Sequence, residues 1–264
     1  MLVPLRAALD EAPAPVNLFL RDDDAGWEDE RLYALLEIVE RRELPIDLAI
    51  IPRAMSPRLA EELALRSTRS EGRLGLHQHG LAHANHERSG RKCEFGPARD
   101  RAVQRDDIRA GREQLEAALP GLVQPIFTPP WNRCTGITGE VLRELGLRVL
   151  SRHASEAPLG ITGLGEIPVA VDWSYAKRAG VRLSFSELGE LAAAEVRRGG
   201  PVGVNLHHAV MDRRELSRFD ELCGLLAAHP MARPLPLLAL ETPRRRPPFE
   251  APRRTRVSAA REPS

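Results

Sequence analysis

Four of the chain's eight histidines, His77, His79, His83 and His86, fall within ten residues. His79 and His83 are four positions apart, a spacing that sets both imidazoles on one side of a helical turn, from which both can reach one ion. A solvated polar loop gives the same pattern, so the pair needs further ligands before it means anything. Asp22, Asp23 and Asp24 offer them. Three consecutive carboxylates repel one another, and burying any of them unpaired costs several kcal/mol. A cation relieves that repulsion if one Asp becomes a ligand while a neighbour stands beside a bound water. Two His and one carboxylate leave open positions on a zinc-like ion, which is the pattern of a catalytic rather than a structural site. The plainer reading of the acids is a turn or an N-cap, with Asp22 or Asp24 in that role.

These residues need elements to position them, and the apolar periodicity supplies a set. Val16 to Arg21 reads as a strand ending in the three acids, and Leu32, Leu35, Leu36 and Val39 recur at helical spacing. Ile46 to Ile51 reads as a strand. Ser56-Pro57 opens a helix to about Leu65, and Arg73 to Leu76 is a strand that delivers the histidines. A helix over 100–119 leads to a strand from Val123 to Thr128, closed by Pro129 and Pro130. Glu140 to Leu145 is helical, and Leu147 to Leu150 and Glu166 to Val171 are strands. Ser186 to Arg198 and Arg214 to Ala228 are helices on either side of a strand from Val202 to Leu206. Leu235 to Leu240 is expected as a final strand. Strands alternating with helices predict an α/β fold with a largely parallel sheet, and about seven such units suggest closure into a (β/α) barrel. In such barrels the chemistry sits at the carboxyl ends of the strands. The polar clusters fall there: the acids, the histidines, Thr128 to Asn132, Asp172-Trp173 and His207-His208.

Composition narrows the function classes. The 264 residues are 42% hydrophobic and 28% charged, which excludes a fibre or a wholly disordered chain. Net charge is +1, but residues 242–264 hold seven Arg and two Glu, so the body is slightly acidic. That is not the footprint of a nucleic-acid binder. Three cysteines, Cys93, Cys134 and Cys223, give no disulfide framework and no CxxC knuckle. The first fifteen residues lack the apolar core of a signal peptide, and no run of 18 apolar residues exists; the expectation is a cytoplasmic protein with no membrane span. One catalytic domain is expected over 1–241, followed by a Pro/Arg-rich disordered tail over 242–264.

Taken in order, the motifs resemble those of the polysaccharide deacetylases, the NodB-homology carbohydrate esterases of family 4. The resemblance spans residue 16 to about 240. Arg21-Asp22-Asp23-Asp24-Ala25-Gly26 looks like the first motif, which implies Asp23 as general base and Asp24 as metal ligand. Gln78-His79 through His83 resembles the second, with both histidines as ligands. Thr128-Pro129-Pro130-Trp131-Asn132 is similar to the third, which lines the groove and offers the backbone N–H of Trp131 to an oxyanion. Val171-Asp172-Trp173 resembles the fourth, and Asn205-Leu206-His207-His208 the fifth, which supplies the general acid.

The family's fold implies a distorted barrel. Its activity implies a divalent metal, zinc first, with cobalt, nickel, manganese or iron as alternatives, and a sugar or other small-molecule substrate. Two departures stand out. Thr128 replaces the Arg that pairs with the base in the family, a role for which Arg21 and Arg133 are candidates, and Asn132 replaces a Gly. The doubled histidine leaves the acid open between His207 and His208; on a strand Asn205 and His207 share a face opposite His208. Asp172 is a candidate to orient the acid, and Trp173 to line the substrate groove. The resulting expectation is a metal-dependent deacetylase of an N-acetylated sugar or related amide. The alternatives are a hydrolase of non-sugar, including cyclic, amides on the same barrel, or a carbohydrate-binding pseudoenzyme.

Overall fold

The computed structural model describes residues 2–173 and 183–241; the expected tail over 242–264 lies outside the described residues. The strands are β1 (Val16–Ala25), β2 (Ile46–Ile50), β3 (Leu74–His79), β4 (Val123–Thr128), β5 (Val149–Leu150), β6 (Gly165–Glu166), β7 (Val171–Asp172), β8 (Val202–Leu206) and β9 (Ala232–Pro234). They form one parallel sheet in the order β6-β5-β4-β3-β2-β1-β8-β7, with β9 also on β1. Leu18 pairs with Val202 on one edge and with Pro234 on the other, so β9 fills the margin of β1 below β2. The sheet curls like a barrel and, among the described residues, does not close. Among the described residues β6 and β7 do not pair, and the expected strand over Glu166 to Val171 is divided between them, with a single bridge from His153 to Val169.

The helices are α1 (Leu2–Asp10), α2 (Asp29–Arg41), α3 (Pro57–Arg69), α4 (Arg101–Ala118), α5 (Gly136–Glu144), α6 (Phe185–Arg198) and α7 (Arg213–Ala228). Their starts are chemically specified. Ser56 accepts the Leu59 N–H at the head of α3, and Asp100 accepts that of Val103 at the head of α4. Reciprocal capping boxes join Ser184 to Glu187 and Asp212 to Glu215. α1 was not among the expected elements; Leu5, Ala8 and Leu9 give it a short buried stripe. The expected strand from Leu235 to Leu240 does not form. Pro234 and Pro236 lack N–H donors, and residues Leu237–Leu240 make a 3₁₀ turn whose Leu237 plugs the barrel.

The pairing register sorts side chains into inward and outward sets. Outward residues such as Leu18, Leu20, Leu48, Ile50 and Val204 pack under the helices. Inward residues stack in layers. The base is apolar, with Phe19, Ile126, Val149, Ile167, Val169 and Leu237. A side chain at Gly203 would meet the Phe19 ring at 2.3 Å, so only glycine lets that ring fill the base. Above it lie Arg21, Asp47, His77, Ser151 and Asn205, all fully buried. The carboxyl ends of the strands then carry Asp23, His79, Thr128 and His207 at the mouth.

Candidate active site

The Asp24, His79 and His83 side chains converge, each offering a ligand atom within 4.8 Å of the others. Asp24 Oδ1 lies 3.2 Å from His79 Nε2 and 3.2 Å from His83 Nε2. His79 ends β3, and its Nδ1 stands 3.0 Å from the Thr128 carbonyl oxygen, an acceptor only. That nitrogen therefore carries the proton, and Nε2 turns its lone pair toward the carboxylate. Convergent acceptors of this kind call for positive charge. In the absence of a cation a second proton on Nε2 would take its place: burial opposes charge on His79, yet the hydrogen bond that proton makes to Asp24 and the nearby Asp23 carboxylate outweigh it and raise its pKa. Burial pushes His83 down to about 4, leaving it a neutral ligand. Two imidazoles and one carboxylate, with solvent reaching Asp24 and His83, fit a divalent cation with open positions.

The route to this convergence differs from the expected helical turn. Residues 80–92 form a loop, and Gly80 and His83 adopt left-handed backbone at φ 58° and 54°. The fully buried Glu94 carboxylate accepts the Ala82 N–H at 2.8 Å and the Leu81 N–H at 3.3 Å, which pins the loop between the two histidines. Sequence reasoning missed Glu94, a lone acid eleven residues beyond His83. His86 is exposed in the same loop.

Asp23 projects from β1 into the mouth. Arg21, two residues earlier and on the same face, grips it from below through Nε to Oδ1 at 2.8 Å and Nη2 to Oδ2 at 2.9 Å. The same guanidinium donates to Asn132 Oδ1 at 2.7 Å and to Ser151 Oγ at 2.8 Å. Of the two candidates for the missing third-motif Arg, the structure places Arg21 on the acid. Arg133 instead reaches the Lys92 carbonyl oxygen. Asn132, where the family has Gly, is buried and helps to orient Arg21. Burial opposes ionisation of Asp23, but Arg21, His79 and His207 outweigh it and hold the carboxyl well below the usual range. Asn205 Nδ2 donates to Oδ2 at 3.2 Å.

His207 stands across the mouth between two acids, with Nε2 3.9 Å from Asp23 Oδ2 and Nδ1 3.9 Å from Asp172 Oδ1. His208 is turned away and is fully buried. Its Nδ1 pairs with Asp22, and its Nε2 donates to the Trp27 carbonyl oxygen at 2.7 Å. Burial opposes its charge, but the Asp22 carboxylate prevails and raises its pKa to about 9. Both nitrogens are committed to structure, so His208 is not placed to meet a substrate.

Thr128 is fully buried, its hydroxyl 2.9 Å from His77 Nε2. Pro130 packs beneath Gly80, where an added Cβ would meet its Cγ at 2.6 Å. Trp131 is half-buried with left-handed backbone at φ 56°, and its ring centroid lies 4.3 Å from that of His83. Trp173 does not line the groove. It is only 2% exposed and packs in the outer core against Phe185 and Phe219, because strand alternation turns it outward when Asp172 faces in.

The fold is that of the carbohydrate esterase family 4 polysaccharide deacetylases, and the resemblance seen in the motifs holds at that level. A Mycobacterium smegmatis protein assigned as a polysaccharide deacetylase superposes with a TM-score of 0.67 at 15% identity, over 88% of this chain and 90% of that one. A family 4 acetyl xylan esterase from Clostridium thermocellum, solved in complex with a cobalt ion, gives 0.58 at 12% identity over 85% and 89%. A family 4 pseudoenzyme from Bacillus anthracis gives 0.52 at 16% over 81% and 62%. No protein-family model and no curated protein matches the sequence. Among the described residues no helix is long and apolar enough to cross a membrane.

Proposed function

We propose that the chain is a metal-dependent hydrolase that removes the acetyl group from an N-acetylated sugar or a related amide. The observation that carries this reading is the placement of an ionised, guanidinium-gripped Asp23 beside the Asp24, His79 and His83 cluster, with His207 across the mouth. Asp24, His79 and His83 would hold a divalent cation, zinc in the first instance. When bound there, such a cation supplies Lewis acidity, lowering the pKa of a water and polarising a carbonyl.

The chain's own groups do the rest. Asp23, kept anionic by Arg21, takes a proton from the attacking water. The backbone N–H of Trp131 donates to the oxygen that becomes negative as the carbonyl carbon turns tetrahedral. His207, oriented by Asp172, gives a proton to the nitrogen as the C–N bond breaks. The products are acetate and a free amine. A pseudoenzyme is among the fold neighbours; the presence together here of Asp23, the Asp24, His79 and His83 cluster and His207 supports turnover.

The test is acetate release from N-acetylated oligosaccharides by zinc-loaded protein. Asp23→Asn should lower turnover at least about a hundredfold, the scale of a lost general base, while zinc stoichiometry stays at the wild-type level. Full activity in that variant would refute the assignment of the base. Release of ammonia or formate instead of acetate would refute deacetylation.

A further inference from the structure

Trp27 lies just beyond the acids and takes no part in the chemistry above. Its backbone is fixed at both ends: its N–H donates to the Asp24 carbonyl oxygen at 3.1 Å, and its own carbonyl accepts from His208 Nε2 at 2.7 Å. Glu28, which follows, adopts left-handed backbone at φ 52° and gives α2 no side-chain cap. A non-glycine residue in that region is strained by about 1–2 kcal/mol. The chain is thus bent sharply here, and the bend holds the indole against the His83 imidazole.

The indole centroid lies 4.8 Å from that of His83, with the planes at 66°, and Trp131 approaches the same imidazole from its own left-handed turn at 4.3 Å and 58°. Yet Trp27 is 40% exposed. An indole whose task is anchorage is expected to bury itself, as Trp173 does in this chain at 2%. Trp27 instead keeps a large apolar surface in water at the mouth of the site, held by a rigid backbone.

We propose that Trp27 is a substrate-contacting, specificity-determining residue: with Trp131 it brackets His83 as an aromatic wall that takes the apolar C–H face of a pyranose ring. The proposal rests on the sugar reading above and deepens it. A pyranose is amphipathic, with axial C–H groups on its faces and hydroxyls around its rim. An indole that is 40% exposed at the mouth can cover the C–H groups while the rim hydroxyls stay hydrated. Small acyclic amides lack such a face and gain nothing from the wall, so Trp27 favours sugar rings over simple acetamides.

The experiment is calorimetric titration of the zinc-loaded full chain with a β-1,4-linked trisaccharide of N-acetylglucosamine, in an Asp23→Asn background that prevents turnover. Adding Trp27→Ala should weaken trisaccharide binding about tenfold, whereas Trp27→Phe, which keeps a ring, should weaken it no more than about threefold. Zinc affinity, measured separately in both variants, should stay within about twofold of the parent. Unchanged trisaccharide affinity in Trp27→Ala overturns the proposal and leaves the sugar reading standing. So does a parallel loss of zinc affinity in both variants, which would make Trp27 a brace for His83. No trisaccharide binding by the parent protein would overturn the proposal and the sugar reading together.

Discussion

Replacing Arg21 with Met is expected to destabilise the protein by about 3–5 kcal/mol, the range for removing one partner of a buried ion pair. The guanidinium is fully buried and makes four hydrogen bonds, two of them to Asp23. Met fills much of the same volume, so the loss is electrostatic rather than a cavity. What remains is a carboxylate that is 1% exposed, with Asn205 as its remaining donor, together with Asn132 and Ser151 deprived of theirs. The decisive measurement is a double-mutant cycle with Asp23→Asn. Arg21→Met/Asp23→Asn removes both charges and should be more stable than Arg21→Met alone by about 1–3 kcal/mol, within the range for directly contacting residues. Guanidinium unfolding of chelator-treated protein at fixed pH keeps metal binding out of the comparison. A cost below about 1 kcal/mol for Arg21→Met, or simple additivity in the cycle, would refute the view that Arg21 exists to hold Asp23 charged.

Burial pushes the Asp47 carboxyl up to about 7, so the folded protein keeps a proton there that the unfolded chain loses near 4. Its contribution is present in full below the unfolded pKa and is lost as pH rises through about 7, by about 4 kcal/mol at most. Asp47→Asn should therefore be less pH-dependent than wild type between pH 4 and 7 in unfolding titrations; parallel curves would refute this. Zinc at about a thousand times its Kd should stabilise chelated wild-type protein by about 4 kcal/mol, and His79→Ala should abolish the gain. Equal stabilisation of that variant would place the metal elsewhere. Gly80→Ala forces a left-handed alanine against the pinned Glu94 carboxylate, 2.1 Å away, and Pro130. It should cost about 2 kcal/mol or more and weaken zinc binding, and wild-type values for both would contradict the loop's assigned role.

The strand ends and the polar residues on them were readable because parallel strands and catalytic groups leave composition signals in short windows. The alternation that sets Asn205 and His207 opposite His208 is met in the structure, where His207 faces Asp23 and Asp172 and His208 turns to Asp22. Arg21 and Asp23 share a face by the same rule, but only the structure shows that Arg21 rather than Arg133 reaches the acid. Two kinds of feature stayed hidden. Glu94 and Ser151 act through contacts far along the chain, for which one sequence carries no periodic signal. The run from Leu235 to Leu240 has strand-like composition, and its fate is set by flanking prolines and by a vacancy at the barrel base that only tertiary packing creates. The loop carrying His83 was misread as helical because a spacing of four is also met by a turn through Gly80. Five of the seven non-glycine residues with positive φ among the described residues, Asp24, Glu28, His83, Trp131 and Asn132, lie in or beside the site. Strain of that sort is invisible to propensity.

The two margins of the sheet, β6 and β7, are each only two residues long. An unclosed barrel ordinarily offers a ready template on which another molecule's backbone can zip up, the first step toward fibrils. Among the described residues each rim presents so few strand peptide groups that a foreign strand would gain almost no ladder before running out of partners. Brevity thus does for this molecule what closure does for a complete barrel, and lengthening either margin by design would invite self-association.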